Sequence, residues 1–189
     1  MTAMTAASTK EPVGLPRRPL TRADLDAMPD DGHRYELIDG ILVVSPAPRI
    51  RHQEFVAQMH LLLHASCPAE LKVLFAPLDV ALSDDTVMQP DLLVARREDF
   101  TEKDLPVAPV LAVEVLSPST RGLDLLLKKD RLQRAGCANY WVVDPDLPGI
   151  VAWRLVDGVY VEAGRAEGDE VLTLAEPFDC RVVPTTLAG

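Results

Sequence analysis

The sequence predicts a mixed α/β (α+β) fold, a central mixed β-sheet flanked by helices, and three observations carry that prediction. DLLVA behind Pro90, VLAVEVL behind Pro109 and NYWVVDP are short, almost wholly apolar runs, as expected of strands covered on both faces. Between residues 50 and 65, Phe55, Met59, Leu62 and Leu63 recur at helical spacing. Two Asp-Gly dipeptides, Asp39-Gly40 and Asp157-Gly158, stand between apolar-rich segments and suit the left-handed positions of tight hairpin turns.

The elements follow in chain order. Residues 1–19 lack the apolar core of a secretory signal and are expected to form a flexible arm, with 20–189 as one domain. Thr21 is placed to cap a short helix, with Asp24 three residues on and Pro29 beyond its end. RYELIDGILVVSP is the first hairpin, Pro46 and Pro48 break the chain, and an amphipathic helix runs from Ile50 to about Ala65. LKVLFAPLDVALS reads as one long or bulged strand with Pro77 at an edge or bend. DLLVA and VLAVEVL are joined by the charged connection RREDFTEKDLPVAP, with room for a helical turn. A second helix is expected from about Thr120 to Ala135, with Gly136 as a left-handed cap. NYWVVDP, the hairpin IVAWRLVDGVYVEA and the tail EVLTLAEPFDCRVV supply the remaining strands around one sheet.

Composition narrows the class of function. Of 189 residues, 48% are hydrophobic and 25% charged, ordinary for a soluble globular chain. No apolar run approaches the roughly 18 residues that a membrane span needs. Cys67, Cys137 and Cys180 are odd in number, widely spaced and without a CxxC pair. That pattern opposes a disulfide framework and a zinc site, and implies free thiols in a reducing cytoplasm. The net charge of −10 opposes nucleic-acid binding, which is largely electrostatic. Its distribution softens the objection. Residues 144–180 hold nine acids against Arg154 and Arg165, whereas residues 121–134 hold five bases against Asp124 and Asp130. Such asymmetry permits a local phosphate-facing surface on an acidic chain.

Three carboxylates stand where a core strand should be apolar. Asp91 opens DLLVA, Glu114 interrupts VLAVEVL, and Glu36 lies inside the first hairpin strand. An ionised carboxylate in a buried strand is expensive unless paired, hydrogen-bonded or bound to metal. Any one of the three has a bland reading, a partner arginine or a turn cap. Asp91 and Glu114 together, on successive buried strands, point instead to a hard oxygen site suited to Mg²⁺ or Mn²⁺. Leu116, two residues after Glu114 on the same strand face, cannot serve as a base. The following helix offers Lys128 and Lys129. At roughly 100° per residue, Lys128 falls within the arc of Leu125, Leu132 and Ala135, and Lys129 at that arc's other edge. A lysine on the packed side needs an anionic partner, and Asp124, one turn earlier, is placed to brace it. The alternative is a half-buried lysine that snorkels to solvent.

The ordered set YELIDG, His52 in a helix, QPDLLV, LAVEVLSPST, the Asp124-to-Lys128 spacing and AGCANYWVVDP resembles the Uma2 family. That family belongs to the restriction-endonuclease-like, PD-(D/E)xK nuclease superfamily, and the resemblance runs from about Leu20 to beyond Asp157. It implies a restriction-endonuclease-like core in which Pro90-Asp91 matches the PD, Glu114 the central acid and Glu36 the early acidic residue. The lysine usual two positions after the acid is Leu116 here, and the family similarly displaces it to the next helix, in agreement with Lys128. Leu132 departs from the pattern, an aromatic residue being expected there.

The resemblance implies a Mg²⁺-dependent DNA endonuclease, as a homodimer whose two sites face two strands. Asp91, Glu114, the Val115 carbonyl and Glu36 would bind the metal, and Lys128 would orient a water or stabilise growing negative charge. His52, Lys129 and Arg121 are candidate supporting or phosphate-facing residues. For His52 two readings are open: contact with phosphate or Glu36, or a helix-surface position beside Arg49 and Arg51. Ser117, Ser119 and Thr120 are expected to cap the helix of Lys128, and Ser117 lacks the GxSxG setting of a nucleophile. Trp141 and Trp153 are expected in core or interface. Two rival functions stand: a catalytically silent DNA-binding or protein-interaction module, and a metal-dependent hydrolase of RNA or small phosphoesters.

Overall fold

The computed structural model describes residues 18–118 and 120–188. Most of the expected N-terminal arm, and Ser119, lie outside the described residues.

Helix α1 (Arg22–Asp26) begins with the Thr21/Asp24 capping box that its sequence predicts. β1 (Arg34–Ile38) and β2 (Ile41–Ser45) form the first hairpin, its turn set by Asp39 at φ 52° and Gly40 at φ 74°. A Cβ at Gly40 would meet Pro19 at 2.6 Å, so both conformation and space call for glycine there. α2 spans Ile50–Ser66. β3 (Leu71–Phe75) and β4 (Val80–Ser83) correct the expectation of one long strand, because they belong to different sheets. Pro77, which cannot donate to a strand ladder, lies where the chain leaves one sheet for the other. β5 (Thr86–Met88) was not foreseen; three residues are too few to show a periodicity.

β6 (Leu92–Arg96) and β7 (Leu111–Val115) are the two apolar runs, joined by a connection that includes a 3₁₀ turn at Arg97–Asp99. A π-helical segment, Leu123–Lys128, continues into α3 (Lys129–Arg134), and Gly136 follows at φ 83°. The α-helical reading of residues 120–135 is therefore corrected in its first half. Asp124, Lys128 and Leu132 are all buried, at a spacing of four. On an α-helix two such steps drift by about 80°; the wider π turn keeps the three on one inward line. Ala135, expected on that arc, is exposed.

β8 (Asn139–Asp144), β9 (Gly149–Val156) and β10 (Val159–Glu167) complete the largest sheet, the last two turning at Asp157 and Gly158 as expected. β11 (Leu172–Leu174) and β12 (Cys180–Val182) pair with each other, and a 3₁₀ turn spans Pro184–Ala188. The central sheet is six-stranded and mixed, in the order β10-β9-β8-β7-β6-β3, with β7 and β8 parallel. A four-stranded sheet, β2-β1-β5-β4, stands beside it, so the expectation of a single sheet is corrected to a central sheet with two smaller ones.

Alternation along β7 divides the interior. Leu111, Val113 and Val115 face Phe55, Val56, Met59 and Leu63 of α2, a side closed by Leu174, Val182 and Leu187. Ala112 and Leu116 face Ile38, Met88, Leu132, Tyr140 and Val142. Glu114 lies between those two residues and so faces the junction of β1, β5 and the helix of Lys128. No described helix is long and apolar enough to cross a membrane.

Candidate active site

Four elements bring their charged residues to that junction. Leu92 of β6 lies opposite Val113 of β7, which sets Asp91 beside Glu114, and the Asp91 N–H approaches Glu114 Oε2 at 3.4 Å. From the four-stranded sheet comes Glu36, whose Oε1 accepts the Gln89 N–H at 2.8 Å. From the π segment comes Lys128. Its Nζ lies 2.9 Å from Glu36 Oε1, 3.1 Å from Glu114 Oε1 and 3.7 Å from Asp124 Oδ1. Lys128 is 1% exposed, which excludes the snorkelling alternative. Tyr140 donates its hydroxyl to the Asp124 carbonyl at 2.8 Å and steadies the π segment from β8.

Asp91 is engaged on both oxygens. Oδ1 accepts from Arg34 Nη1 at 2.8 Å; Oδ2 accepts the Val115 N–H at 2.9 Å and lies 3.1 Å from His52 Nε2. Val115 thus meets the site through its N–H. His52 reaches Asp91 and not Glu36, and it is buried, so its helix-surface reading is set aside.

The environment shifts these groups in opposite directions. Burial alone would raise the Asp91 carboxyl, but the His52 bond and the Arg34 charge outweigh it and hold Asp91 below the usual range. Glu114 goes the other way, pushed well above that range by burial, which outweighs the opposing pull of Lys128 and is reinforced by Asp91 and Asp124. Asp124 is likewise raised by burial against the pull of Lys128. Burial would also depress Lys128, yet Glu114, Glu36 and Asp124 prevail and keep the ammonium protonated.

Lys129 and Arg121 do not join the cluster. Lys129 Nζ sits 3.7 Å from the centroid of the Trp153 ring, and Arg121 pairs with Asp144 at 2.6 Å. Basic charge in a segment, or a place at the edge of a helix arc, does not specify where a long side chain ends. Ser117 accepts the Thr120 N–H and the Arg121 N–H ahead of the π segment, as expected of a capping residue. Trp141 is core and Trp153 half-buried against Tyr140. All three cysteines are free.

Arg34 is the residue that the sequence reading missed. The available signal was its place two residues before Glu36, hence on the same strand face. It stands in the wall of an open cleft of about 880 Å³, with His52, Asp91, Gln89 and Arg49 also in its lining. Lys128, Glu114 and Glu36 lie behind that wall.

The donor chemistry fits a hard divalent cation. Among the described residues, Glu36, Asp91, Glu114 and Asp124 face Arg34 and Lys128 as permanent cations, an excess of two negative charges when all are ionised. Glu36 Oε2 is buried with no hydrogen-bond partner. The described residues nevertheless show no group of three His, Cys, Asp or Glu side chains arranged around one metal position, because the two cations stand among the carboxylates.

A family model described as "Putative restriction endonuclease" matches residues 22–185. The chain belongs to the Uma2 family. Its fold is shared with the crystal structure of "a putative nuclease belonging to DUF820" from Anabaena variabilis ATCC 29413. That match has a TM-score of 0.69 at 16% identity and covers 89% of this chain and 97% of the other. No curated protein matches the chain significantly.

Proposed function

We propose that this Uma2 domain is a Mg²⁺- or Mn²⁺-dependent endonuclease that hydrolyses phosphodiester bonds in DNA. The observation that carries the reading is the buried Lys128, held between Glu36 and Glu114 beside Asp91 at the back of a cleft. A lysine buried among four carboxylates is a poor source of stability, because desolvation of the ions offsets most of their attraction, and this reading gives the cluster a chemical role instead.

Asp91 and Glu114 would hold the divalent cation, with Glu36 through Oε2, which accepts no hydrogen bond among the described residues, and the Val115 carbonyl completing the set. The metal would polarise a phosphoryl oxygen and lower the pKa of a bound water. Asp91, kept ionised, is the anchoring ligand. Lys128 keeps its proton and stabilises negative charge that grows on the phosphoryl oxygens. Tyr140 and Asp124 hold Lys128 at its station. His52 orients Asp91 from the cleft side through Nε2. A homodimer, with one site per DNA strand, and a cytoplasmic setting for the three free thiols complete the proposal.

Nicking of supercoiled plasmid in Mg²⁺, compared among wild type, Glu114→Ala and Lys128→Ala, tests it. Wild type nicks and both variants lose at least about a hundredfold; cleavage that survives in all three refutes the assignment. The acidic net charge and the full engagement of Asp91 favour a second reading, a catalytically silent interaction module. That reading predicts no nicking by wild type at any metal concentration.

A further inference from the structure

We propose that Arg34 is a built-in cation that occupies the carboxylate cluster in the metal-free protein and, once displaced, becomes a phosphate-binding group of the cleft. The inference rests on the reading of Asp91, Glu114 and Glu36 as a divalent-cation site. Arg34 Nη1 donates to Asp91 Oδ1 at 2.8 Å and to the Gln89 carbonyl at 3.3 Å. Its Nε lies 3.8 Å from Glu36 Oε2, the carboxylate oxygen left without a hydrogen bond. One guanidinium thus spans Asp91 and Glu36, carboxylates from two different sheets that a hard cation would also span.

Two features distinguish Arg34 from Lys128. Lys128 is sealed, at 1% side-chain exposure, whereas Arg34 keeps 23% of its side chain open to the cleft and so has a way out. Lys128 also has three carboxylate neighbours, Glu36, Glu114 and Asp124, that do not depend on Asp91. A divalent cation among the Asp91 and Glu36 oxygens would sit within a few ångströms of the guanidinium, and the like charges repel strongly in a partly buried site. Arg34 and the cation are therefore alternative occupants of the same oxygens. Swung outward, Arg34 would join Arg49 and His52, which line the same cleft, and its planar fork suits a phosphate. The coupling is reciprocal: a phosphate that draws Arg34 outward strengthens cation binding, and the cation strengthens phosphate binding.

The test is a Mn²⁺ titration of the full chain, followed through the EPR signal of free Mn²⁺, for wild type, Arg34→Gln and Asp91→Asn. Arg34→Gln is expected to bind at least about tenfold tighter than wild type, while its affinity for a duplex DNA oligonucleotide, read by fluorescence anisotropy, drops at least about fivefold. A residue that merely supports the ligands would weaken both. A readout on wild type guards against misfolding of the variant: the Arg34 side-chain Nε–H resonance should shift on addition of Mg²⁺ together with the Val115 amide. Movement of Val115 alone, or Mn²⁺ binding by wild type that Arg34→Gln does not strengthen, overturns this inference only. Absence of Mn²⁺ binding in all three proteins overturns the metal-site reading and this inference with it.

Discussion

Neighbouring residues of β7 face two different kinds of interior. Val113 and Val115 look onto an apolar cluster beneath α2. Glu114, between them, looks onto a cluster of three other carboxylates and two cations. The first face is what a small domain needs in order to fold: large side chains packed without polar atoms. The second is poor as a source of stability, since desolvation of ions offsets most of their mutual attraction. The proposed function assigns the second face to chemistry and the first to folding, and that contrast yields a clear division of mutational effects.

Lys128→Ala should have the largest effect on both properties. It removes the ammonium proposed to stabilise growing negative charge and leaves Glu36, Glu114 and Asp124 buried without that cation. The expected outcome is a loss of about 3–5 kcal/mol in urea unfolding and of at least about a hundredfold in plasmid nicking. Phe55→Ala, on the apolar face, should lose a similar ~3–5 kcal/mol of stability while Mn²⁺ affinity stays unchanged; a parallel loss of Mn²⁺ binding would erase the distinction between the faces. Glu114→Gln is the sharper instrument. Because burial already disfavours the charged carboxyl and Lys128 keeps Glu36 and Asp124, stability should change by less than about 1.5 kcal/mol in the same unfolding assay while nicking disappears. The smallest effect concerns the thiols. Burial pushes both Cys137 and Cys180 up to about 11, so Ellman's reagent at pH 8 should label half-buried Cys67 first and the other two only on unfolding. Rapid labelling of Cys137, which belongs to the cluster's side, would show that side opening independently of the rest.

Much of this arrangement was legible in the residues. The Asp-Gly turns, the Thr21 cap and the apolar runs are local signals with local causes, and each element appears where they place it. Glu36, Asp91 and Glu114 were legible because each contradicts its apolar surroundings, and Lys128 because it falls on the packed side of a helix. What escaped was non-local. Arg34 opens a strand, where an arginine usually means a solvated end, and only the side-by-side placement of two sheets turns it toward Asp91. The π segment escaped because an angle of roughly 100° per residue presupposes an α-helix, and residue types alone do not announce a wider turn. Neither the basic charge of Arg121 nor the place of Lys129 at the edge of the helix arc reveals a partner, and those partners, Asp144 and Trp153, lie on strands distant in sequence.

The central claim is that Asp91 and Glu114 form a divalent-cation site, and Mn²⁺ calorimetry of wild type against Asp91→Ala tests it most directly. The account predicts one Mn²⁺ bound per wild-type chain and binding reduced by at least about a hundredfold in Asp91→Ala. Equal Mn²⁺ affinity in the two proteins would contradict it.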